Sequence, residues 1–149
     1  MKKAFTLVEV LIVVTIIGIL AAVVVPIFKD HVTKAREAAI KDTLHTVREA
    51  IEIYAAQHNG VPPGYPENDP TRTPSFLSFF YQFIRDGENL SSFPENPFNE
   101  LMTVRVIPDA DELPAEATGQ DGWIYKPAIK DFRIDWPGTD SKGIRFYDY

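Results

Sequence analysis

The sequence contains no cysteine, and this absence excludes disulfide bonds, thiol catalysis and zinc sites built on cysteine. Motifs for a nucleophile or for a phosphate-binding loop are also missing. The three histidines, His31, His45 and His58, do not have the spacing of metal ligands, and we interpret them as surface or packing residues. The sequence therefore predicts a protein that is not an enzyme.

Positive charge is scarce as well. The chain of 149 residues carries 15 lysines and arginines against 21 aspartates and glutamates, which gives a net charge of −6. Binding to nucleic-acid phosphates requires a basic stripe, and the sequence has none, so nucleic acid is excluded as a partner. The length suits one soluble domain plus a separate apolar segment.

The apolar segment covers residues 5–28 and is interrupted by one charge, Glu9. As a helix it would measure about 36 Å at about 1.5 Å per residue, which is enough to cross a bilayer. It is longer than the core of a secretory signal peptide and lacks a small-x-small cleavage site, so we favour a membrane-spanning anchor over a cleaved signal peptide. Lys2 and Lys3 before it predict a cytoplasmic N-terminus, with the rest of the chain outside.

Glu9 is unfavourable in such a segment. An ionised carboxylate inside lipid costs about 2.5–3.5 kcal/mol on insertion scales, so we expect Glu9 to have a partner. The alternative is that its side chain reaches the membrane interface close to the end of the helix.

The residues before and around Glu9 read Lys2-Lys3-Ala4-Phe5-Thr6-Leu7-Val8-Glu9. This stretch closely resembles the cleavage and methylation motif of type IV prepilins and pseudopilins, although Ala4 stands where glycine is more common. The resemblance implies that prepilin peptidase removes a leader, residues 1–4, by cutting between Ala4 and Phe5, and that the new amine of Phe5 is methylated. It also implies a partner for Glu9, which would pair with the Phe5 amine of its own subunit or of a neighbour and so specify the register.

The same resemblance implies a structural function, because members of this family polymerise through the apolar helix. Residues 5–28 would first be a single-pass anchor in the inner membrane, with the soluble domain outside the cytoplasm, and would then form the core of a helical filament. The implied partners are further copies of the chain, prepilin peptidase, an inner-membrane assembly platform and minor pilins. The filament would be a periplasmic pseudopilus of a type II secretion system or an extracellular type IV pilus. The alternative is a membrane-anchored binding module that does not polymerise, which would leave Glu9 and the junction between Ala4 and Phe5 unexplained.

Gly18 and Pro26 bracket a part of the apolar segment that is weak as a helix. Glycine costs about 1 kcal/mol in a helix interior, and proline removes a backbone donor. Lipid forces the backbone to stay helical. In a filament, however, we predict that this stretch lengthens or melts. It resembles the extended segment seen in assembled members of the family. The alternative is a simple kink at Pro26.

Residues 29–149 are predicted to form a soluble domain that begins on the same helix. Asn59 and Gly60, followed by two prolines, predict that the helix ends near residue 58. Its apolar stripe at helical spacing consists of Val32, Ala35, Ala39, Leu44, Val47, Ile51, Tyr54 and Ala55. A short helix is predicted near residues 75–86, capped by Ser75 and stopped by Gly87, with an aromatic stripe that packs on the long helix. That stripe contains Phe76, Phe79, Phe80, Phe83 and Ile84.

Strands are predicted from about residue 101, over residues 101–107, 123–125, 132–134 and 144–147, with a hairpin around 126–131. We expect an α+β, pilin-like fold in which the apolar half of the long helix protrudes and the amphipathic half packs on a small antiparallel sheet. The order Asn96-Pro97-Phe98 and then Trp123-Ile124-Tyr125 resembles the major pseudopilins of type II secretion systems. The lack of a cysteine pair around a C-terminal loop also favours a pseudopilin.

The resemblance further suggests a calcium site, because major pseudopilins often hold calcium in the C-terminal loop. Oxygen ligands are available there from Asp135, Asp140, Ser141 and Asp148, of which Asp135 is the first choice. Calcium requires about 6–8 converging oxygens, and the spacing matches no EF-hand. We therefore favour solvated surface charges and no cofactor, with calcium as the alternative.

Overall fold

The computed structural model describes residues 6–85 and 93–149. A long helix, α1 (Leu7–Gln57), is followed by a short helix, α2 (Phe76–Phe80), and a π-helical turn, Tyr81–Arg85. Three strands come after them: β1 (Val104–Val106), β2 (Trp123–Lys126) and β3 (Asp131–Ile134). Single 3-10 turns occupy Pro66–Asn68, Pro127–Ile129 and Phe146–Asp148. The predicted α+β fold is confirmed. The chain divides into two units, Met1–Ala35 and Arg36–Tyr149.

In the first unit, α1 is helical without interruption through Gly18 and Pro26. The predicted melting of this stretch concerns an assembled filament, and it stays a prediction. The side chains of residues 6–25 are all exposed in the single chain. By length and composition, α1 is the one helix among the described residues that is long and apolar enough to cross a membrane.

In the second unit, α1 presents an apolar stripe to the core. Five of the predicted positions are buried: Leu44, Val47, Ile51, Tyr54 and Ala55. The predicted positions at Val32, Ala35 and Ala39 are exposed. The buried stripe begins instead at Ile40. The helix ends close to the predicted position, since Asn59 and Gly60 both adopt positive φ angles.

The sheet has the order β1-β2-β3, with β1 parallel to β2 and β2 antiparallel to β3. The predicted hairpin is confirmed, and Trp123 faces Ile134 across it. The prediction that all strands are antiparallel is wrong for β1. A parallel pair needs a connection of about a dozen residues or more, and residues 107–122 provide one.

The C-terminal segment was predicted to be extended over residues 144–147, and this prediction is also wrong. Its only pairing between described residues is an isolated bridge between Thr139 and Arg145, after which the chain forms the 3-10 turn Phe146–Asp148. The turn places Phe146 and Tyr147 in the interior, whereas an extended strand would point successive side chains to opposite faces.

The short helix begins as predicted, because the Ser75 hydroxyl accepts a hydrogen bond from the Ser78 N–H at 3.2 Å. Of its aromatic stripe, Phe79 and Phe83 are buried, whereas Phe76 and Phe80 are 45% and 39% exposed. Residues four apart form one column on a helix, and only the column of Phe79 and Phe83 faces the core. The predicted stop at Gly87 lies outside the described residues.

The core lies between α1, the short helix and one face of the sheet. Alternation along β2 places Trp123 and Tyr125 on this face and Ile124 on the other, where it contacts Ile107 and Tyr147. The main cluster consists of Ile40, Leu44, Val47, Ala50, Ile51, Phe79, Phe83, Val104, Trp123, Tyr125, Phe132, Ile134 and Phe146.

Candidate functional site

The N-terminal end of α1 is closed by a capping box. The Thr6 hydroxyl accepts a hydrogen bond from the Glu9 N–H at 3.2 Å, and Glu9 Oε2 accepts one from the Thr6 N–H at 3.1 Å. The Thr6 hydroxyl also donates to Glu9 Oε2 at 3.0 Å. This reciprocal pairing satisfies backbone donors that have no partner within the helix.

Thr6 is the residue at this site that the sequence interpretation missed. The signal was present, because Thr6 and Glu9 form a T-x-x-E pattern directly before an apolar helix. The carboxylate of Glu9 is thereby held at the end of the helix. Ala4 and Phe5, the predicted cleavage residues, lie outside the described residues.

Within the first unit, the stretch of α1 over residues 7–25 is apolar on all sides apart from Glu9, as is usual for a helix that is buried. Residues Leu7–Val25 include only one ionisable side chain, that of Glu9, and Leu7, for example, is 82% exposed in the single chain. A helix that is apolar on all sides is normally buried in a membrane or in a bundle of helices. Gly18 leaves open space, since no atom lies within 4 Å of the position of an added Cβ.

Asp135 lies directly after β3, is fully buried, and is surrounded by hydrogen-bond donors. Its Oδ1 accepts from the Thr118 N–H at 2.6 Å, and its Oδ2 accepts from the Thr118 hydroxyl at 2.7 Å and the Asp121 N–H at 3.1 Å. Burial alone raises the pKa of Asp135. The hydrogen bonds from Thr118, Asp121 and Gly119 outweigh it and hold that pKa below its ordinary value.

Asp140 has a separate set of partners. Its Oδ1 accepts from the N–H groups of Lys142 and Ile144, each at 2.8 Å, and its Oδ2 accepts from the Tyr149 hydroxyl at 2.6 Å. The bond from Tyr149, together with the two backbone bonds and the charge of Lys41, lowers the pKa of Asp140 in spite of partial burial. Burial and the same contact with Asp140 raise the pKa of Tyr149.

The remaining calcium candidates are also engaged elsewhere. The exposed Asp148 is paired with Arg145 at 2.7 Å, and Ser141 donates both its N–H and its hydroxyl to Glu37. Within the part of the chain that the structure describes, no group of three or more histidine, cysteine, aspartate or glutamate side chains is arranged to hold a metal. A calcium site needs oxygens turned toward one point, whereas these oxygens are turned toward N–H and O–H donors. The arrangement does not fit calcium.

Comparisons with known proteins identify the N-terminal pattern. Residues 1–25 match the family model described as "Prokaryotic N-terminal methylation motif". The chain is 41% identical to fimbrial protein EcpB of Eikenella corrodens over 68 residues, which are 46% of this chain and 42% of that protein. The chain is similar to type IV pilins and to a pseudopilin of a type II secretion system.

Two further relatives are a pilus component and a protein of a type II secretion system. The type IV narrow pilus major component PilA5 of Thermus thermophilus is 45% identical over 60 residues, 40% of this chain and 52% of that protein. The type II secretion system core protein G of Aeromonas hydrophila is 29% identical over 102 residues, 65% of this chain and 68% of that protein. The chain thus spans about half or less of the two pilins named. No solved structure gives a significant match to the chain.

Proposed function

We propose that this chain is the structural subunit of a helical filament, processed by prepilin peptidase and polymerised through the apolar part of α1. The observation that carries the proposal is the combination of the methylation motif with an acidic residue held at the start of an otherwise apolar, exposed helix. A permanent anchor has no need of Glu9 inside lipid, whereas a filament gives that charge a defined partner.

The chemistry begins with the cut between Ala4 and Phe5. Cleavage produces an α-amine on Phe5, one residue before the Thr6 N–H that Glu9 already accepts at 3.1 Å. The cationic amine and the carboxylate of Glu9, in the same subunit or in a neighbour, offset the desolvation that each would suffer alone. An axial slip between subunits leaves both charges unpaired, so the pair also specifies the register of assembly.

The proposed path runs from the inner membrane to the filament. The lysines of the leader keep the N-terminus in the cytoplasm, and the second unit lies on the other side of the membrane. An assembly platform and minor pilins in that membrane extract the subunit, and α1 exchanges lipid for neighbouring copies of itself. The filament core provides the same apolar surroundings as the bilayer, so the transfer does not expose residues 7–25 to water.

Between the two kinds of filament, we favour the pseudopilus of a type II secretion system. The alignment with core protein G reaches 65% of this chain, whereas those with EcpB and PilA5 reach 46% and 40%. Similarity that extends well into the second unit supports a pseudopilin-like domain around the shaft. A type IV pilus is the alternative.

N-terminal sequencing and mass spectrometry of the protein isolated from native membranes and filaments test the proposal. We expect a chain that begins at an N-methylated Phe5. Deletion of the prepilin peptidase serves as the control and restores Met1 as the first residue. An intact Met1 in cells with active peptidase contradicts processing and supports the membrane-anchored module that does not polymerise.

A further inference from the structure

The carboxylate of Asp135 lies in a small nest of donors in the second unit. Residues 118–121 wrap around it, and the N–H groups of Thr118, Gly119 and Asp121 and the Thr118 hydroxyl point toward its oxygens. Such a concave run of N–H groups binds an anion. In this protein the bound anion is a side chain of the same chain.

One guanidinium lies beside this nest. Arg105 on β1 places its Nη2 3.9 Å from Asp135 Oδ2 and its Nε 3.8 Å from Asp121 Oδ2. Both nitrogens are buried and have no hydrogen-bond partner among the described residues, although the Arg105 side chain as a whole is 32% exposed. The distances are beyond hydrogen-bond range, so charge attraction holds the three groups together.

We propose that Arg105 is the built-in cation of this acidic cluster and replaces a structural metal. Its planar guanidinium presents donors in several directions, which allows it to neutralise Asp121 and Asp135 at the same time. A calcium ion would need Asp135 oxygens that are free of N–H and O–H donors, whereas both oxygens of this carboxylate already accept hydrogen bonds from Thr118 or Asp121.

The cluster joins three separate parts of the second unit. Arg105 belongs to β1, Asp121 to the long connection between β1 and β2, and Asp135 follows β3. The cluster therefore holds the end of the connection between β1 and β2, at Asp121, against β1 and against the end of β3. It lies wholly within Arg36–Tyr149, so its test is independent of polymerisation.

The first experiment measures the melting temperature of the full chain in detergent micelles, with EDTA or with millimolar CaCl2. We expect the same melting temperature in both. Arg105→Gln removes the cation and lowers the melting temperature by about 3–8 °C, with no recovery in CaCl2. Arg145→Gln is the matched control, because Arg145 pairs with the exposed Asp148, and its effect is expected to be smaller.

A double-mutant cycle separates the charge contact from general damage to the fold. Asp121→Asn is used as the second change, since it leaves the buried Asp135 nest in place. If Arg105 and Asp121 act as a pair, the double variant melts at a higher temperature than the sum of the two single losses predicts. A wild-type melting temperature that rises by several degrees in CaCl2, or single effects that add, overturns the proposal.

Discussion

Glu37 on α1 accepts two hydrogen bonds from Ser141, one from the backbone N–H at 2.8 Å and one from the hydroxyl at 3.0 Å. The two residues are 104 positions apart, and Glu37 is only 8% exposed. A buried carboxylate on the helix therefore fixes the C-terminal loop that contains Ser141. The loop is anchored to the protein's own helix.

Glu37→Ala is expected to destabilise the domain by about 1–3 kcal/mol, because it removes two hydrogen bonds between Ser141 and a charged, buried carboxylate. Urea unfolding of the full chain in detergent measures the loss, and hydrogen exchange of residues 139–145 shows where it acts. The control is Glu49→Ala on the exposed side of the same helix, where the partner is His45 at 3.8 Å and a change within about 0.5 kcal/mol is expected. Equal effects of the two variants argue against the anchor.

Arg48 makes a second connection between α1 and the C-terminal part of the chain. Its Nε and Nη2 donate to the Phe132 carbonyl at 3.1 and 2.8 Å, and its Nη1 donates to the Tyr149 carbonyl at 2.8 Å. Arg48→Lys is expected to cost about 1.5–3 kcal/mol, since a lysine cannot span both carbonyls as a planar fork does. Arg72→Lys, at a surface pair with Glu67, serves as the control and is expected to be close to neutral. A neutral Arg48→Lys contradicts the bridging role.

The capping box allows the charge of Glu9 to be separated from its role in the helix. Glutamine can replace glutamate in a capping box, so Glu9→Gln keeps the cap and removes the charge. We expect Glu9→Ala and Glu9→Gln to reduce filament formation about tenfold or more, the effect of about 1.4 kcal/mol in association, while membrane insertion is unchanged. Thr6→Val, which loses only the hydroxyl, is expected to assemble far better than either.

Electron microscopy of sheared filaments and alkaline extraction of membranes provide the two measurements for these variants. Normal filaments from Glu9→Gln would show that the cap, and not an ion pair with the Phe5 amine, is what assembly requires.

Acid is expected to destabilise the second unit. The pKa values of Asp135 and Asp140 are lower in the folded protein than their ordinary values, so the folded state favours the ionised forms. Stability from these groups is complete above about pH 4, the pKa of an unfolded aspartate, and is lost as the pH falls through the lower folded pKa values. Unfolding measured from pH 7 to pH 2 should show this fall, and Asp140→Asn should make it shallower. Asp42→Asn, on the exposed surface of α1, is the control, and a slope equally reduced by both variants contradicts the assignment.

In the filament, the stretch between Gly18 and Pro26 is predicted to lose the helical form that it has in the single chain. Lipid offers no hydrogen-bond partner to backbone groups freed near Pro26, whereas neighbouring subunits in a filament can offer polar groups, so the weak stretch can extend as the subunit is drawn into register. A filament reconstruction measures this directly. A helix that remains continuous from residue 18 to residue 26 contradicts the prediction.

The sequence was informative where structure depends on neighbouring residues. The apolar run, the cap at Ser75, the helix end at Asn59 and the hairpin between β2 and β3 all follow from local patterns. The parallel pairing of β1 does not, because it depends on the path of residues 107–122. Asp135 shows the same limit at the candidate site: its position after a strand marked it as important, but the same carboxylate can face a cation or a ring of N–H donors. Glu37, Arg48 and Arg105 find their partners far along the chain, and no spacing rule connects them.

The long-range bonds of α1 determine when the domain can close during synthesis. Residues near the N-terminus leave the ribosome first, so the stripe of Leu44, Val47 and Ile51 emerges well before β2 and β3, which cover it. The bonds from Glu37 to Ser141 and from Arg48 to Tyr149 can form only when the last residues have arrived. In a partly synthesised subunit, this apolar face of α1 therefore stays exposed to solvent and open to aggregation until synthesis is almost complete.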